Sequence, residues 1–360
     1  MDIHQSTRSY ESWLAAQIRV LPADLDEKHA RMAADPFSFF RATFYRWMQL
    51  WPVLCPELAA APAVLAVGDL HVENFGTWRD SEGRLVWGIN DFDETYALAY
   101  TTDLVRLATS AWLAIRLNHV ALALADACEA ILEGYTTGLE HGGEPYVLSE
   151  RHVWLREVAT GRLRDPVHYW NKLGALPLVK RVPAPVLAML RRAMPEPGLD
   201  FRVAHRQAGL GSLGRERYTA LAEWRGGMVA REAKTLLPSA CGWAAGRPKL
   251  KAVYYQEILR RSVRAPDPFL AVGDGWVLRR LSPYCSRIEL TQLPREADGQ
   301  KLLRAMGRET ANIHLGTRAA VSAVRGDLKR RKPKWLRESA ERLAAATLQD
   351  WKEWGGGGGK

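Results

Sequence analysis

Cysteine is scarce and unclustered. Cys55, Cys128, Cys241 and Cys285 include no C-x-x-C pair, which argues against a disulfide framework and against a cysteine-based zinc site. The nine histidines include no H-E-x-x-H, so a structural metal is not expected. Long apolar runs are missing too. The longest is bounded by Glu57 and Asp69 and broken by Pro62, too short to span a bilayer. The opening MDIHQSTRSY has no basic stretch followed by an apolar one, so a secretory signal is not expected and the cytoplasm is the default compartment. No internal repeat is visible.

What remains is ordinary globular composition. The 360 residues are 47% hydrophobic and 25% charged, enough to bury a large core over about two domains or lobes. Fifty Lys plus Arg face 40 Asp plus Glu, a net charge of +10. Such a surface attracts nucleotides, nucleic acids and acidic lipids alike. Part of the excess sits late in the chain, at Arg325, Lys329, Arg330, Arg331, Lys332, Lys334 and Arg337. That run reads as a solvated helix face or, less simply, as the footprint of a polyanion.

Periodicity sets out the elements. Asp35-Pro36 reads as an N-cap with proline at the first helical position. Behind it Phe37, Phe40, Phe44, Trp47 and Trp51 fall on one face of a single helix, a core stripe. Val64–Val67 and Leu85–Ile89 read as strands, with turn chemistry at Asp80-Ser81-Glu82-Gly83. Helices are expected over Asp103–Leu117, Ala121–Leu139 and Ala184–Ala193, and a linker at Pro195-Glu196-Pro197-Gly198. Strands are expected over Phe201–Ala208, Arg217–Leu221, Met228–Arg231 and Trp276–Leu281. Helices follow over Lys251–Val263, between them, and then over 295–315 and Trp335–Gln349.

Two strand ends are loaded with acids, Asn and His. The first is Gly68-Asp69-Leu70-His71-Val72-Glu73-Asn74-Phe75. Its D-x-x-x-x-N spacing is that of a kinase catalytic loop, in which the Asp orients and deprotonates the attacking hydroxyl and the Asn holds magnesium. The second is Ile89-Asn90-Asp91-Phe92-Asp93-Glu94. Its Asp91 is placed to bridge magnesium to nucleotide phosphates, because magnesium takes few protein carboxylates and fills its shell with phosphate and water. His71 is expected to brace the loop, and Glu73 or Asp93 to serve a second metal or the substrate.

These motifs resemble the catalytic and metal loops of aminoglycoside phosphotransferase-like kinases, with Asp103-Leu104 matching a downstream D-L-A that anchors the catalytic loop. The closer resemblance is to the bacterial domain of unknown function 2252 family. It covers nearly the whole chain, through RMAADPFSFFRATFY, GDLHVENFG, INDFDE, GLGSLGRERY, the REA segment, RAPDPFL and ANIHLGT. It implies a protein-kinase-like fold and leaves the substrate unnamed.

Gly209-x-Gly211-x-x-Gly214 has two readings. A dinucleotide site needs a helix to start at the third glycine; a kinase Gly-rich loop is a strand-turn-strand that covers phosphates. RERYTALAEWR behind it suits a strand, so the second is favoured, with Gly209, Gly211, Ser212 and Gly214 as nucleotide-binding residues. A cation must follow on a neighbouring strand. The resemblance puts Lys-Glu-Ala there; this chain has Arg231-Glu232-Ala233 and Lys234. Arg231 is the expected phosphate cation, and Glu257 its partner. Because the Gly-rich segment follows the acid loops, a kinase-like fold requires circular permutation.

The sequence therefore predicts an α+β, two-lobe, circularly permuted protein-kinase-like fold. Residues 1–198 form a helical part carrying the acid loops, 199–284 a β-rich part, 285–354 returning helices and 355–360 a flexible tail. The expected activity is ATP- and magnesium-dependent phosphotransfer to a hydroxyl. Asp69, His71, Asn74 and Asp91 are catalytic, with Asn74, Asp91 and Asp93 on magnesium. The residues name no acceptor, and the same constellation serves phosphoryl or AMP transfer. The alternatives are a nucleotide-binding pseudokinase scaffold, favoured by the Lys-to-Arg departure, and a nucleic-acid-binding protein using the basic late segment.

Overall fold

The computed structural model describes residues 1–117, 122–149, 151–160, 165–285 and 296–355 of a mixed α+β protein. The chain begins with helices α1 (Ile3–Ala15), α2 (Pro22–Ala34), α3 (Pro36–Ala42), α4 (Phe44–Leu54) and α5 (Pro56–Ala59). Strands β1 (Ala63–Ala66), β2 (Phe75–Arg79), β3 (Leu85–Ile89) and β4 (Tyr96–Ala99) follow, then α6 (Tyr100–Arg116) and α7 (Leu124–Glu140). After β5 (Tyr146–Val147) come α8 (Val153–Thr160), α9 (Pro166–Gly174) and α10 (Ala184–Ala193). Strands β6 (Arg202–His205), β7 (Arg217–Trp224) and β8 (Gly227–Thr235) precede α11 (Ala240–Ala244) and α12 (Tyr255–Arg261), and β9 (Ala271–Gly273) and β10 (Trp276–Leu281) follow them. The chain returns through α13 (Glu296–His314), α14 (Val321–Arg330) and α15 (Trp335–Glu353).

Among the described residues the strands form three sheets. β1 pairs with β4, β2-β3-β5 form a small sheet, and β6-β7-β8-β10-β9 form a five-stranded antiparallel one. The main core lies among α3, α4, α6, α7, α13 and α15, with Phe40, Trp47, Leu104, Ile131, Met306 and Leu343 buried together. α13 packs along α7, and α15 along α6.

The Asp35 cap is present: its side chain accepts from Ser38 N at 2.8 Å, a contact worth about 1 kcal/mol. The single helix expected over the aromatic stripe is two. Thr43 leaves helical geometry at φ −120°, ψ 38°, and its Oγ1 donates to Phe39 O. A threonine hydroxyl competes with the helical ladder in this way. All five aromatics are buried nonetheless, because the break turns the second helix without removing its apolar side from the core. Strand β2 lies between the two expected strands, ahead of the turn at 80–83, and pairs antiparallel with β3. Helix α7 starts at Leu124, and residue 121 of its expected start lies outside the described residues, as do residues 286–295 and 356–360 of the expected returning segment and tail. No helix among the described residues is long and apolar enough to cross a membrane.

The five-stranded sheet has two unlike faces, because side chains alternate along each strand. Tyr218, Ala220, Ala233 and Leu278 pack on Val186 and Leu190 of α10 and on Met194 just after it. The other face carries Arg217 and Thr219 of β7, Glu232 and Lys234 of β8 and Arg279 of β10, in register. That face looks toward the acid loops.

Candidate active site

The loop after β1 is held from below by Asp103 of α6. Its carboxylate accepts from Val67 N at 2.7 Å and Gly68 N at 2.9 Å. It also contacts His314 Nε2 of α13 at 3.0 Å, and His314 Nδ1 reaches the Tyr135 hydroxyl. This is the anchoring role that the family resemblance implied for Asp103. The loop after β3 is tied to the first by Asn90 N donating to Asn74 O at 2.9 Å. Gly68, at φ +87°, lies so close to the second loop that a Cβ would come within 2.2 Å of Glu94 O. No other residue fits there.

Asp69, His71, Asn74, Asp91 and Asp93 line one cleft with Gly209, Gly211 and Ser212. A methyl group on Gly211 would sit 3.8 Å from Asp69 Oδ2, so the Gly-rich turn lies directly over the Asp69 carboxylate. The turn is a short 3₁₀ segment between β6 and β7, a strand-turn-strand with no helix starting at the third glycine. Gly214 is outside the cleft: its carbonyl accepts from Leu21 N, and it packs on Leu25.

Asp69 keeps 21% of its side chain exposed. Arg106 of α6 holds Oδ1 through Nε at 2.7 Å and through its terminal nitrogen. The guanidinium is fully buried and lies over the rings of Phe40, Phe44 and Trp47. The aromatic stripe thus builds the seat for the residue that grips Asp69. Burial pushes the Asp69 carboxyl up to about 7, against the pull of Arg106. Asn74 Oδ1 accepts from His71 N at 2.7 Å, and His71 Nδ1 accepts from Glu73 N at 3.2 Å, so both residues shape the loop. Glu73 pairs with Arg41 at 2.6 Å.

Lys234 enters the second loop. Its Nζ lies 2.7 Å from Asp93 Oδ2 and 3.3 Å from Asp91 Oδ1. Burial opposes ionisation of Asp91, but Lys234 and Arg279 outweigh it and hold the carboxyl below its ordinary value. Asp93 moves the other way, raised by burial and by the neighbouring Asp91. Asp93 Oδ1 is buried without a hydrogen-bond partner. Arg215 reaches Asp93 at 3.6 Å and Glu94 at 3.5 Å. Glu94 itself caps α11, accepting from Ser239 Oγ and Ala240 N.

Arg231 is not in this cleft. It sits on the α10 side of the sheet, with Nε on Ala193 O at 2.8 Å and its guanidinium over Phe269. Side chains alternate along β8, so Arg231 and Lys234 face opposite sides of the sheet; which face looks into the cleft is decided by α10, whose apolar side covers the other. Glu257 is also elsewhere, paired with Arg261 at 2.8 Å on α12 beside a different depression. A helix acid meets its own i+4 arginine more readily than a distant strand.

Sequence reasoning missed Arg41, Arg106, Glu94 and Arg215, and a buried cluster below Lys234. Glu232 is fully buried and bonds Arg206 at 2.6 Å, Arg217 at 2.5 Å and Arg279 at 2.9 Å. A signal was available. Arg215 just before β7 and Arg217 at its start, and Glu232 and Lys234 in β8, place charges at strand period, which an apolar buried face does not do.

Among the described residues no group of three or more His, Cys, Asp and Glu side chains is arranged to hold a metal ion. The donors that are present suit magnesium delivered with phosphate: the unpartnered Asp93 Oδ1, Asp91 at 36% exposure and the Asn74 amide. One or two carboxylates suffice for that ion when phosphate and water complete its shell. No curated protein and no solved structure matches the chain. A family model matches residues 19–165 and 200–355. The chain belongs to that family, described as an uncharacterized protein conserved in bacteria (DUF2252).

Proposed function

We propose that the protein is an ATP- and magnesium-dependent phosphotransferase with a circularly permuted, protein-kinase-like arrangement, acting on a hydroxyl acceptor. One observation carries the reading: both acid loops and the Gly-rich turn line one cleft, and the Lys234 ammonium reaches the Asp91 and Asp93 carboxylates in its wall. In protein kinases the phosphate-holding lysine stands on the third strand, after the Gly-rich loop. The succession β6, turn, β7, β8 with Lys234 follows that order. The pseudokinase alternative drew on the Lys-to-Arg departure at Arg231; the Lys234 ammonium beside Asp91 and Asp93 supports the catalytic reading instead. The nucleic-acid alternative leaves the acid loops without a task.

In this mechanism Asp69 Oδ2 takes the proton of the acceptor hydroxyl while Arg106 keeps Oδ1 fixed. The acceptor oxygen forms the new P–O bond as the bond to the leaving diphosphate breaks, and the diphosphate oxygen keeps that electron pair. Asn74, Asp91 and Asp93 would hold magnesium, which neutralises and orients the phosphates when bound. Lys234 would adjust from Asp91 and Asp93 toward the phosphates, and the turn at Gly209–Ser212 would cover them. Positioning and electrostatics account for most of the rate in such chemistry.

Thermal shift with ATP tests this. Ligand at 100 times its dissociation constant stabilises by about 2.7 kcal/mol. ATP with magnesium is expected to raise the melting temperature clearly more than ATP alone, and Asp91→Ala to erase the difference. Asp69→Asn is expected to keep binding and lose transfer. Wild-type transfer should rise with pH through about 7 as Asp69 gives up its proton, since the base acts only when ionised. An unchanged magnesium-dependent shift in Asp91→Ala, or no ATP response in the wild type, would sink the reading.

A further inference from the structure

A second cavity lies on the charged face of the five-stranded sheet and shares only Asp91 and Gly209 with the Asp69 cleft. Arg206, Arg217, Lys234, Arg264 and Arg279 line it, against the carboxylates of Asp91 and Asp267 in its wall. Beneath them Glu232 binds three of the arginines at once. Burial opposes the Glu232 charge, yet Arg206, Arg217 and Arg279 keep the carboxyl well below its ordinary value. One acid thus fixes three guanidinium groups in place and leaves most of their charge uncompensated. Preorganised guanidinium forks match phosphate oxygens.

A nucleobase asks for apolar or aromatic walls instead. Among the described residues the aromatic surfaces here are already used. Arg264 covers Trp78 at 4.8 Å, the Trp78 N–H donates to Ala265 O, and Tyr169 is buried against Ala204, Leu221 and Ala230. We propose that this cavity seats the phosphate chain of the donor, and that the donor is recognised by that chain rather than by its base. Assignment of the cavity to the donor rests on the phosphotransferase reading; the donor class is then any nucleoside triphosphate, and inorganic tripolyphosphate carries the recognised part alone.

Isothermal titration of the full chain with magnesium tests it, using tripolyphosphate, ATP, GTP, CTP and adenosine. The four phosphate compounds are expected to bind within about tenfold of one another, and adenosine not at all. Arg206→Gln and Arg279→Gln are each expected to weaken tripolyphosphate and ATP by about tenfold or more, the value of a charged hydrogen bond. Each leaves Glu232 with two arginines, so the buried acid stays paired. Lys329→Gln, on remote α14, is expected to change nothing. ATP binding more than tenfold tighter than both GTP and tripolyphosphate overturns the inference, as does tripolyphosphate binding that neither arginine variant weakens. ATP-selective binding that still needs magnesium and Asp91 would remove this inference and leave the phosphotransferase reading standing. Tripolyphosphate binding that Arg206→Gln weakens but that ignores magnesium and Asp91 would do the reverse.

Discussion

Lys234 and Arg231 stand three residues apart on one strand and do unrelated work. The ammonium is inserted between Asp91 and Asp93, whereas the guanidinium lies over Phe269 on the far face. Removing the first takes away a cation beside the proposed phosphate site. Removing the second takes away packing and one bond to Ala193 O. Lys234→Met is therefore expected to weaken magnesium–ATP binding by about tenfold or more, and Arg231→Gln to change it by less than about threefold. Titration calorimetry on both variants decides it; a larger loss in Arg231→Gln would mean that the cleft opens on the other face. At this scale the acids were legible, because two acid-loaded strand ends follow one another in GDLHVEN and INDFDE, a combination that turn or cap chemistry alone does not call for. The arginines were not, because each is recruited from a different element: Arg41 from α3, Arg106 from α6 and Arg215 from the turn before β7.

Helix α13 acts as a brace. Its Glu309 sits against Gly88 of β3, accepts from Ile89 N at 3.2 Å and from Asn312 Nδ2 at 2.8 Å, and is pushed by burial up to about 7. An acid whose folded value is raised holds an extra proton in the native state, so stability falls as pH rises from 4.5 through about 7. The shift corresponds to about 3 kcal/mol. Glu309→Gln stays neutral throughout, at the cost of one acceptor facing Asn312. Denaturant unfolding at pH 5 and pH 8 is expected to show a smaller drop in the variant than in the wild type; equal drops would mean that Glu309 is ionised in the fold. The helices themselves were legible from their caps and periods. The break at Thr43 was not, because an aromatic stripe at helical spacing reads the same whether one helix carries it or two.

Across the whole molecule, the late part of the chain completes the early part. α7 and α13 cross with their backbones nearly touching. A Cβ on Gly134 would lie 1.9 Å from Arg304 O, and one on Gly307 would lie 2.1 Å from Ile131 O. That crossing brings Glu309 to β3 and His314 to Asp103. Gly134→Leu is expected to force the helices apart and destabilise by roughly 3 kcal/mol, at the upper end for overpacking. Its urea midpoint should fall, and magnesium–ATP should recover less of the loss than it adds to the wild type, because the loop that carries Asp69 is braced through the same contact. A midpoint unchanged by Gly134→Leu would show that the crossing has room to spare.

The sequence by itself determined the two acid loops, the strand-turn-strand around Gly209–Gly214, most helices and strands, and the parity that separates Arg231 from Lys234. All of these follow from local chemistry: cap residues, side-chain period, and acids placed where a strand stops. Only the tertiary structure decided which sheet face meets the acid loops, because α10 covers one face with Val186 and Leu190, Met194 following it, and leaves Glu232 and Lys234 on the other. It also decided the grip of Arg106 on Asp69 and the gathering of three arginines on Glu232. A buried charge needs partners on all sides to be tolerated, and those partners come from segments far apart along the chain, so no local pattern announces them.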